Sequence, residues 1–220
     1  MFTEHKTSIQ SKYRLVSAFV HVHQCRGRNR ALSDVYCSLL RRVDISAETK
    51  MKAFVPNQDT SDAKCSPLTS IPAATAEDMK EIAGYASWHA ANHMKRYRSD
   101  AQRDEDTVRR HYSSLCNSGI FSHDFCFFYE QMAWAAAWST ANERMGKKRD
   151  AMLYKQKWLD YHMELAKSRE VTGQLANDLR SLCWSSAWFT ANTRKGFFYK
   201  RDAAEDARKM QVYYDRIRAN

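Results

Sequence analysis

The sequence predicts an all-α protein built from three helical repeats of about fifty residues each. The motif Trp-x-x-Ala-Asn occurs three times, beginning at Trp88, Trp138 and Trp188, and the spacing is fifty residues both times. Upstream of each tryptophan, large apolar residues recur three and four apart, which is the period of an α-helix with one buried stripe. The chain has only six glycines and three prolines in 220 residues, which favours long regular elements.

The stretch before each tryptophan predicts a helix in the protein interior. Corresponding positions carry Met79, Tyr129 and Leu179, and the other faces carry small rather than charged residues. A helix that is apolar or small on nearly all sides is typical of an interior helix. We therefore expect three central helices, each centred on a tryptophan wedge, to pack together in a bundle.

A second and weaker helical pattern follows each central helix after a group of basic residues. Gly146 and Gly196 lie between the two patterns in the second and third repeats. Glycine just past a helix end is a common stop, so each repeat is expected to be an αα-hairpin. One long helix that tolerates a glycine is the alternative. The three units fit either a helical-hairpin array or one closed bundle.

Polar residues ahead of the central helices are candidate N-caps. Thr75, with Asp78 three residues later, is predicted to open the first central helix as a capping box. Ser122 and Thr172, fifty residues apart, are the matching candidates for the other two central helices.

The chain divides into three segments by composition. Residues 1–43 form a basic N-terminal segment, in which 13–23 fits either a strand or a buried helix. Residues 44–75 hold all three prolines and are expected to be a linker or a strap. The three-repeat helical domain follows at 76–220, with repeats at 76–119, 120–171 and 172–220.

The charge balance favours an anionic partner. Lys and Arg number 35 against 25 Asp and Glu, a formal net charge of +10. Such a balance favours nucleic acid first and a membrane surface second, although a merely basic protein has the same balance. No apolar run reaches the roughly 18–20 residues of a membrane-spanning helix, so no membrane partner is expected.

The cysteines and the chain start indicate a reducing compartment. Six cysteines are scattered without a CxxC pair, and the first residues lack the apolar run of a signal peptide. We therefore expect free thiols and a cytoplasmic location.

The first predicted nucleic-acid contact is an arginine loop. Arg26, Arg28 and Arg30 alternate around a glycine with no acidic residue among them. Guanidinium groups bind phosphates bidentately and stack on bases, so these three are expected to contact a nucleic-acid backbone. A solvated surface loop or an intramolecular ion-pair cluster is the alternative.

The second predicted set follows the central helices. If the repeats share one orientation, these cations lie at one end of the bundle beside aromatic residues, an arrangement that suits single-stranded nucleic acid. A purely structural role is the alternative, because helix C-termini favour Lys and Arg in any case. The set comprises Lys147, Lys148, Arg149, Lys195, Lys200 and Arg201.

The asparagine of the repeated motif is unusual, because asparagine is a poor residue for a helix interior. Its recurrence as Asn92, Asn142 and Asn192 predicts a fixed hydrogen bond, with ligand contact as the alternative.

No metal site, cofactor or catalytic residue is predicted. The groups His21-Val-His23-Gln-Cys25, His89 with His93, and Cys116, His123 and Cys126 lack the spacing of a structural zinc site. Phosphate loops, nucleophile elbows and zincin motifs are absent from the sequence. The acidic run 104–106 is interpreted as a solvated helix face.

The sequence therefore predicts a non-enzymatic nucleic-acid-binding protein, with single-stranded DNA or RNA favoured because no duplex-reading motif is evident. The alternative is a helical assembly, scaffold or inhibitor protein that acts through protein–protein contacts, including self-association into a homo-oligomer. Its support is the aromatic content of 12%, since aromatic residues are enriched at partner surfaces.

Overall fold

The computed structural model describes residues 66–219, which are all-α, as predicted. These residues form six α-helices packed in a bundle, with no strand among them. Residues 1–65, which include the predicted basic segment and most of the predicted linker, lie outside this described part. The helices are α1 (Ala73–Met94), α2 (Arg98–Asn117), α3 (His123–Arg144), α4 (Lys148–Lys167), α5 (Gly173–Lys195) and α6 (Lys200–Ala219), with a 3₁₀ turn at Phe197–Tyr199.

Consecutive helices pair as three hairpins, α1 with α2, α3 with α4 and α5 with α6. The single-long-helix alternative is wrong, because short turns at 95–97, 145–147 and 196–199 separate the two helices of each pair. Gly146 and Gly196 adopt φ of +73° and +94°, a region that an L-side chain rarely enters. Arg96 adopts φ +65° in the first turn.

The helices α1, α3 and α5 pack on one another and run parallel. Near their N-terminal halves, the Tyr129 hydroxyl donates to the Met79 carbonyl at 2.8 Å. At their C-terminal ends, Arg144 of α3 bonds to α5 and Arg194 of α5 bonds to α1. The turns at 95–97, 145–147 and 196–199 therefore lie at one end of the bundle, here called the loop end. Since α6 also packs on α1, the described helices form a closed bundle rather than an open array.

The core lies between the central helices, and each outer helix packs against it with a single row of buried residues. Met79, Phe125 and Tyr129 are fully buried, and Val108 and Leu165 close the core from α2 and α4. Burial of each such side chain contributes about 1.5–3 kcal/mol. The motif tryptophans differ in burial, because Trp138 is 5% exposed whereas Trp88 and Trp188 are half-buried at the edge.

The N-cap predictions are confirmed for α3 and α5 and wrong for α1. Ser122 Oγ accepts from the Phe125 amide at 3.1 Å, and Thr172 Oγ1 accepts from the Leu175 amide at 3.3 Å. Thr75 is instead buried within the first turn of α1, which begins directly after Pro72. Proline is common at helix starts because its fixed φ suits the first turn of a helix. No side-chain cap hydrogen bond is made at this end of α1.

Residues 66–72 lie against the bundle ahead of α1. Leu68 pairs with the turn between α4 and α5, since its amide donates to the Glu170 carbonyl at 2.8 Å and its carbonyl accepts from the Thr172 amide at 2.9 Å. Ile71 is 2% exposed, and its amide donates to the Ile217 carbonyl at 3.0 Å. Residues 66–72 therefore contact both the turn between α4 and α5 and the C-terminal end of α6 before the chain enters α1.

We predict that Gly84→Ala stabilises the protein. Gly84 lies inside α1, and an added Cβ would meet no atom within 4 Å. Alanine removes backbone freedom from the unfolded chain, so the free energy of unfolding should rise by about 0.5–1 kcal/mol in urea titrations followed by circular dichroism. The matched control is Gly146→Ala, which should lower it by about 1 kcal/mol because of its positive φ. A loss of stability in Gly84→Ala would contradict the packing described for α1.

Candidate nucleic-acid interface

All six predicted binding residues in the described part of the chain lie at the loop end and are exposed. Lys147 precedes α4, and Lys148 and Arg149 open its first turn. Lys195 ends α5, and Lys200 with Arg201 begins α6. The other three predicted residues, Arg26, Arg28 and Arg30, lie outside the described residues.

The first hairpin adds cations to the same end of the bundle. Lys95, Arg96 and Arg98 in and beside its turn are exposed, giving nine exposed cations across the three turns. Four acidic residues lie beside them, so the loop end carries a clear positive excess. The acids are Asp100, Glu143, Asp150 and Asp202. Convergence of the turns concentrates positive charge that is scattered along the sequence.

Aromatic side chains project among these cations. Phe198 is 93% exposed, Phe197 75% and Tyr97 51%. Lys200 Nζ lies 4.8 Å from the centre of the Phe197 ring. The third turn is longer than the other two, since α6 begins 52 residues after α4 whereas α4 begins 50 after α2. The phenylalanine pair thus lies in a turn of four residues, 196–199, whereas the other two turns have three.

Two further arginines at the loop end are engaged in contacts between hairpins. Arg194 donates to Asn92 Oδ1, and its guanidinium lies 4.9 Å from the centre of the Trp88 ring. Arg144 makes the corresponding contacts with Asn192 and with Trp188, at 4.7 Å from the ring centre. Both arginines therefore hold a neighbouring hairpin through a hydrogen bond and a cation–π contact.

An aspartate of the same hairpin as the asparagine completes each of these contacts, and Asp104 is buried whereas Asp206 is half-buried. Asn92 Nδ2 donates to Asp104 Oδ2, and Asn192 Nδ2 donates to Asp206 Oδ2, both at 2.7 Å. Burial raises the pKa of Asp104, and the hydrogen bond from Asn92 opposes that rise. Each asparagine thus links an arginine of the neighbouring hairpin to an aspartate of its own hairpin. This arginine–asparagine–aspartate chain of hydrogen bonds is here called a relay.

The interpretation of residues 104–106 as a solvated face is wrong for Asp104, which is 6% exposed. It lies one turn from both Ala101 and Val108 on the buried stripe of α2, so it faces inward toward Asn92. Asp106 of the same run is exposed, as expected.

The junction between the first and second hairpins lacks both charges. Met94 stands where Arg144 and Arg194 stand in the other central helices, and Tyr154 stands where α2 carries Asp104. Asn142 instead donates to the Trp138 carbonyl at 2.8 Å. The His93 ring packs edge-on against Trp138, with 5.3 Å between ring centres. Arginine and aspartate are absent together, which avoids burying one charge without a counter-charge.

The described residues contain no group of three His, Cys, Asp or Glu side chains able to hold a metal ion. None of the helices within 66–219 combines the length and apolar character needed to cross a membrane.

Comparison with protein-family models, with curated proteins and with solved structures finds no match for this chain.

We predict that the two charges of one relay are energetically coupled through Asn92. Arg194→Met, which copies the residue at 94, should lower the free energy of unfolding by about 2 kcal/mol because it leaves Asn92 Oδ1 without its charged donor and removes the cation that Asn92 links to the buried Asp104. In a double-mutant cycle with Asp104→Asn, the coupling should be about 1 kcal/mol. Unfolding in urea measures both quantities.

The control for this cycle is Lys167, whose side chain is 67% exposed and pairs with Glu164 at 2.7 Å on the surface of α4. Lys167→Met should change stability by less than about 0.5 kcal/mol. Additive losses from Arg194→Met and Asp104→Asn would show that the relay does not connect the two charges.

Proposed function

We propose that this protein is a non-enzymatic nucleic-acid-binding protein that engages single-stranded DNA or RNA at the loop end. Lysine and arginine side chains contact the phosphates, and exposed rings stack on the bases. The proposal also includes Arg26, Arg28 and Arg30, and a cytoplasmic location in which the thiols stay reduced.

The main support is a pair of exposed phenylalanines among the cations of the loop end. Phe197 and Phe198 are 75% and 93% exposed, yet they stand within a ring of nine exposed cations. Exposed phenylalanine buries little apolar area and so adds little to the stability of a helical turn, whereas ring stacking on a base contributes roughly 1–3 kcal/mol per base. Cations beside aromatic platforms are the combination that binds single strands without base-specific readout.

The geometry favours single strands over duplex reading. The exposed rings lie on short turns between helices rather than on a helix that could enter a major groove. The acids of the loop end lie in the first turns of α2, α4 and α6 or, for Glu143, at the end of α3, beside the cations. A strand that follows the turns would meet cations for its phosphates at all three turns and exposed rings for its bases at the first and third.

We also infer that the three hairpins are copies of one unit centred on its tryptophan. The central helices begin at residues 73, 123 and 173, and the buried residues Met79, Tyr129 and Leu179 keep the same spacing. Three copies would repeat the basic turn three times around the bundle, which accounts for the concentration of cations at one end.

The test is fluorescence anisotropy with labelled single-stranded oligonucleotides across a salt series. Affinity should fall steeply with salt, because each neutralised phosphate releases counterions. Lys195→Gln, Lys200→Gln and Arg201→Gln combined should reduce the slope of log affinity against log salt by about 2, at about 0.7 per contact. Phe197→Ala with Phe198→Ala should weaken binding by about 1–3 kcal/mol and leave the slope unchanged.

The matched control removes three exposed cations from the opposite end of the bundle, Lys167, Arg169 and Arg218. Both triple variants lose the same net charge, so equal effects would mean that overall charge, and not the loop end, governs binding. Absence of binding by the unaltered protein at low salt would refute the proposal.

A helical assembly or scaffold protein is the second candidate, and one observation favours it. Met152 is 73% exposed and Leu153 54%, and both lie in the first turns of α4 beside the loop end. Such side chains suit a protein partner or a second copy of the chain. Concentration-dependent sedimentation together with no oligonucleotide binding would favour this candidate over nucleic acid.

A further inference from the structure

Two cysteines meet where the first hairpin passes into the second. Cys116 lies in the last turn of α2 and Cys126 in the first turns of α3, on either side of the turn at 118–122. The Cys116 thiol lies close enough to the Cys126 thiol and to the His123 ring for both to lower its pKa. Cys116 is half-buried, whereas Cys126 is fully buried beneath it.

The packing of this junction does not require sulfur. Fifty residues further along, at the passage from α4 to α5, the same positions carry Ala166 and Ala176. Ala176 is buried as completely as Cys126, so a methyl group fills that position. Both positions carry cysteine at one junction and alanine at the next, which favours a chemical role for the pair.

We propose that Cys116 and Cys126 form a reactive dithiol site, in which Cys116 is the nucleophile toward low-molecular-weight disulfides and Cys126 is the resolving thiol. The thiolate of Cys116 attacks one sulfur of a disulfide R–S–S–R. The S–S bond breaks, one RS⁻ leaves, and a mixed disulfide forms on Cys116. Cys126 then attacks the Cys116 sulfur, and its proton ends on the second departing thiolate. Two electrons pass from the protein thiols to the small disulfide, which is reduced to two thiols.

The surroundings assign the two roles. The neighbouring Cys126 thiol, and after it the nearby Tyr112 and His123 side chains, outweigh burial and lower the pKa of Cys116 to about 6. A thiolate at neutral pH is the reactive form of cysteine, and partial exposure lets a small disulfide reach it. The N-terminus of α3, where His123 is the first helical residue, also favours negative charge here.

Cys126 is suited to the second step rather than the first. The neighbouring Cys116 thiol, together with burial, raises the pKa of Cys126, so Cys126 stays protonated while Cys116 is a thiolate. Reaction of Cys116 removes that thiolate charge and with it the largest cause of the raised pKa. The resolving thiol therefore becomes easier to ionise only after the nucleophile has reacted.

The acidic groups near the pair act on it from two sides. Glu130 of α3 lies near Cys116, and burial raises the pKa of that carboxyl to about 7. Glu170, from the turn between α4 and α5, acts on Cys126 and opposes its ionisation. Glu170 therefore favours a protonated Cys126 before the first step.

The experiment treats the folded full-length protein with oxidised glutathione, quenches it with acid, alkylates the remaining thiols and maps tryptic peptides by mass. The peptide 111–144 contains no internal Lys or Arg and holds both cysteines. It should lose two hydrogens and take up no alkylating reagent, and dithiothreitol should reverse the change. In Cys126→Ala, which copies the residue at 176, the reaction should stop with glutathione attached to Cys116.

Two controls keep the outcome decisive. In Cys116→Ala, Cys126 should take up no glutathione, because the nucleophile is absent. Cys183 is buried, its pKa is raised to about 12 by burial, and it lies in the separate peptide 181–194, so it should stay unmodified while the fold is intact. A stable glutathione adduct on Cys116 of the unaltered protein, or no reaction at either thiol while Cys183 stays protected, would overturn the proposal.

Discussion

The close packing of α1, α3 and α5 is the constraint on which the rest of the structure depends. Their interior faces carry small residues such as Ala83, Ala133 and Ala136, so their backbones approach one another closely. Each small residue buries little apolar area. Most of the apolar area in the N-terminal halves of the central helices is instead buried by large side chains such as Met79, Phe125 and Tyr129. Each outer helix adds only one stripe to this core and depends on the central helices for its position.

The C-termini of α1, α3 and α5 meet at the loop end beside the N-termini of α2, α4 and α6, so helix-end partial charges of both signs lie there. Arg144 and Arg194 lie at these C-termini and reach across to the next hairpin, so each cation both balances its own helix end and holds its neighbour. The cations that remain exposed extend outward from the same place. The positive surface that we propose as a nucleic-acid interface therefore lies at the same end of the bundle as the contacts of Arg144 and Arg194 between hairpins.

Parts of this architecture follow from the sequence, and the reasons are local. Ser122 and Thr172 are confirmed as N-caps because capping depends on a few adjacent residues, whereas the capping box at Thr75 is wrong because Pro72 starts the helix earlier. The burial of Asp104 could have been inferred from its place between Ala101 and Val108 on the apolar stripe of α2. Its partner could not, because the relay from Arg194 through Asn92 joins residues 102 apart, and only the packed hairpins bring them together.

Native-state hydrogen exchange tests most directly whether the central helices form one cooperative core. The account predicts that the slowest amides of α1, α3 and α5 exchange with the same free energy, equal to that of global unfolding, while the outer helices exchange earlier through local opening. Exchange of one hairpin at a clearly lower free energy, with the other two still protected, would show that the hairpins are independent units and would contradict it.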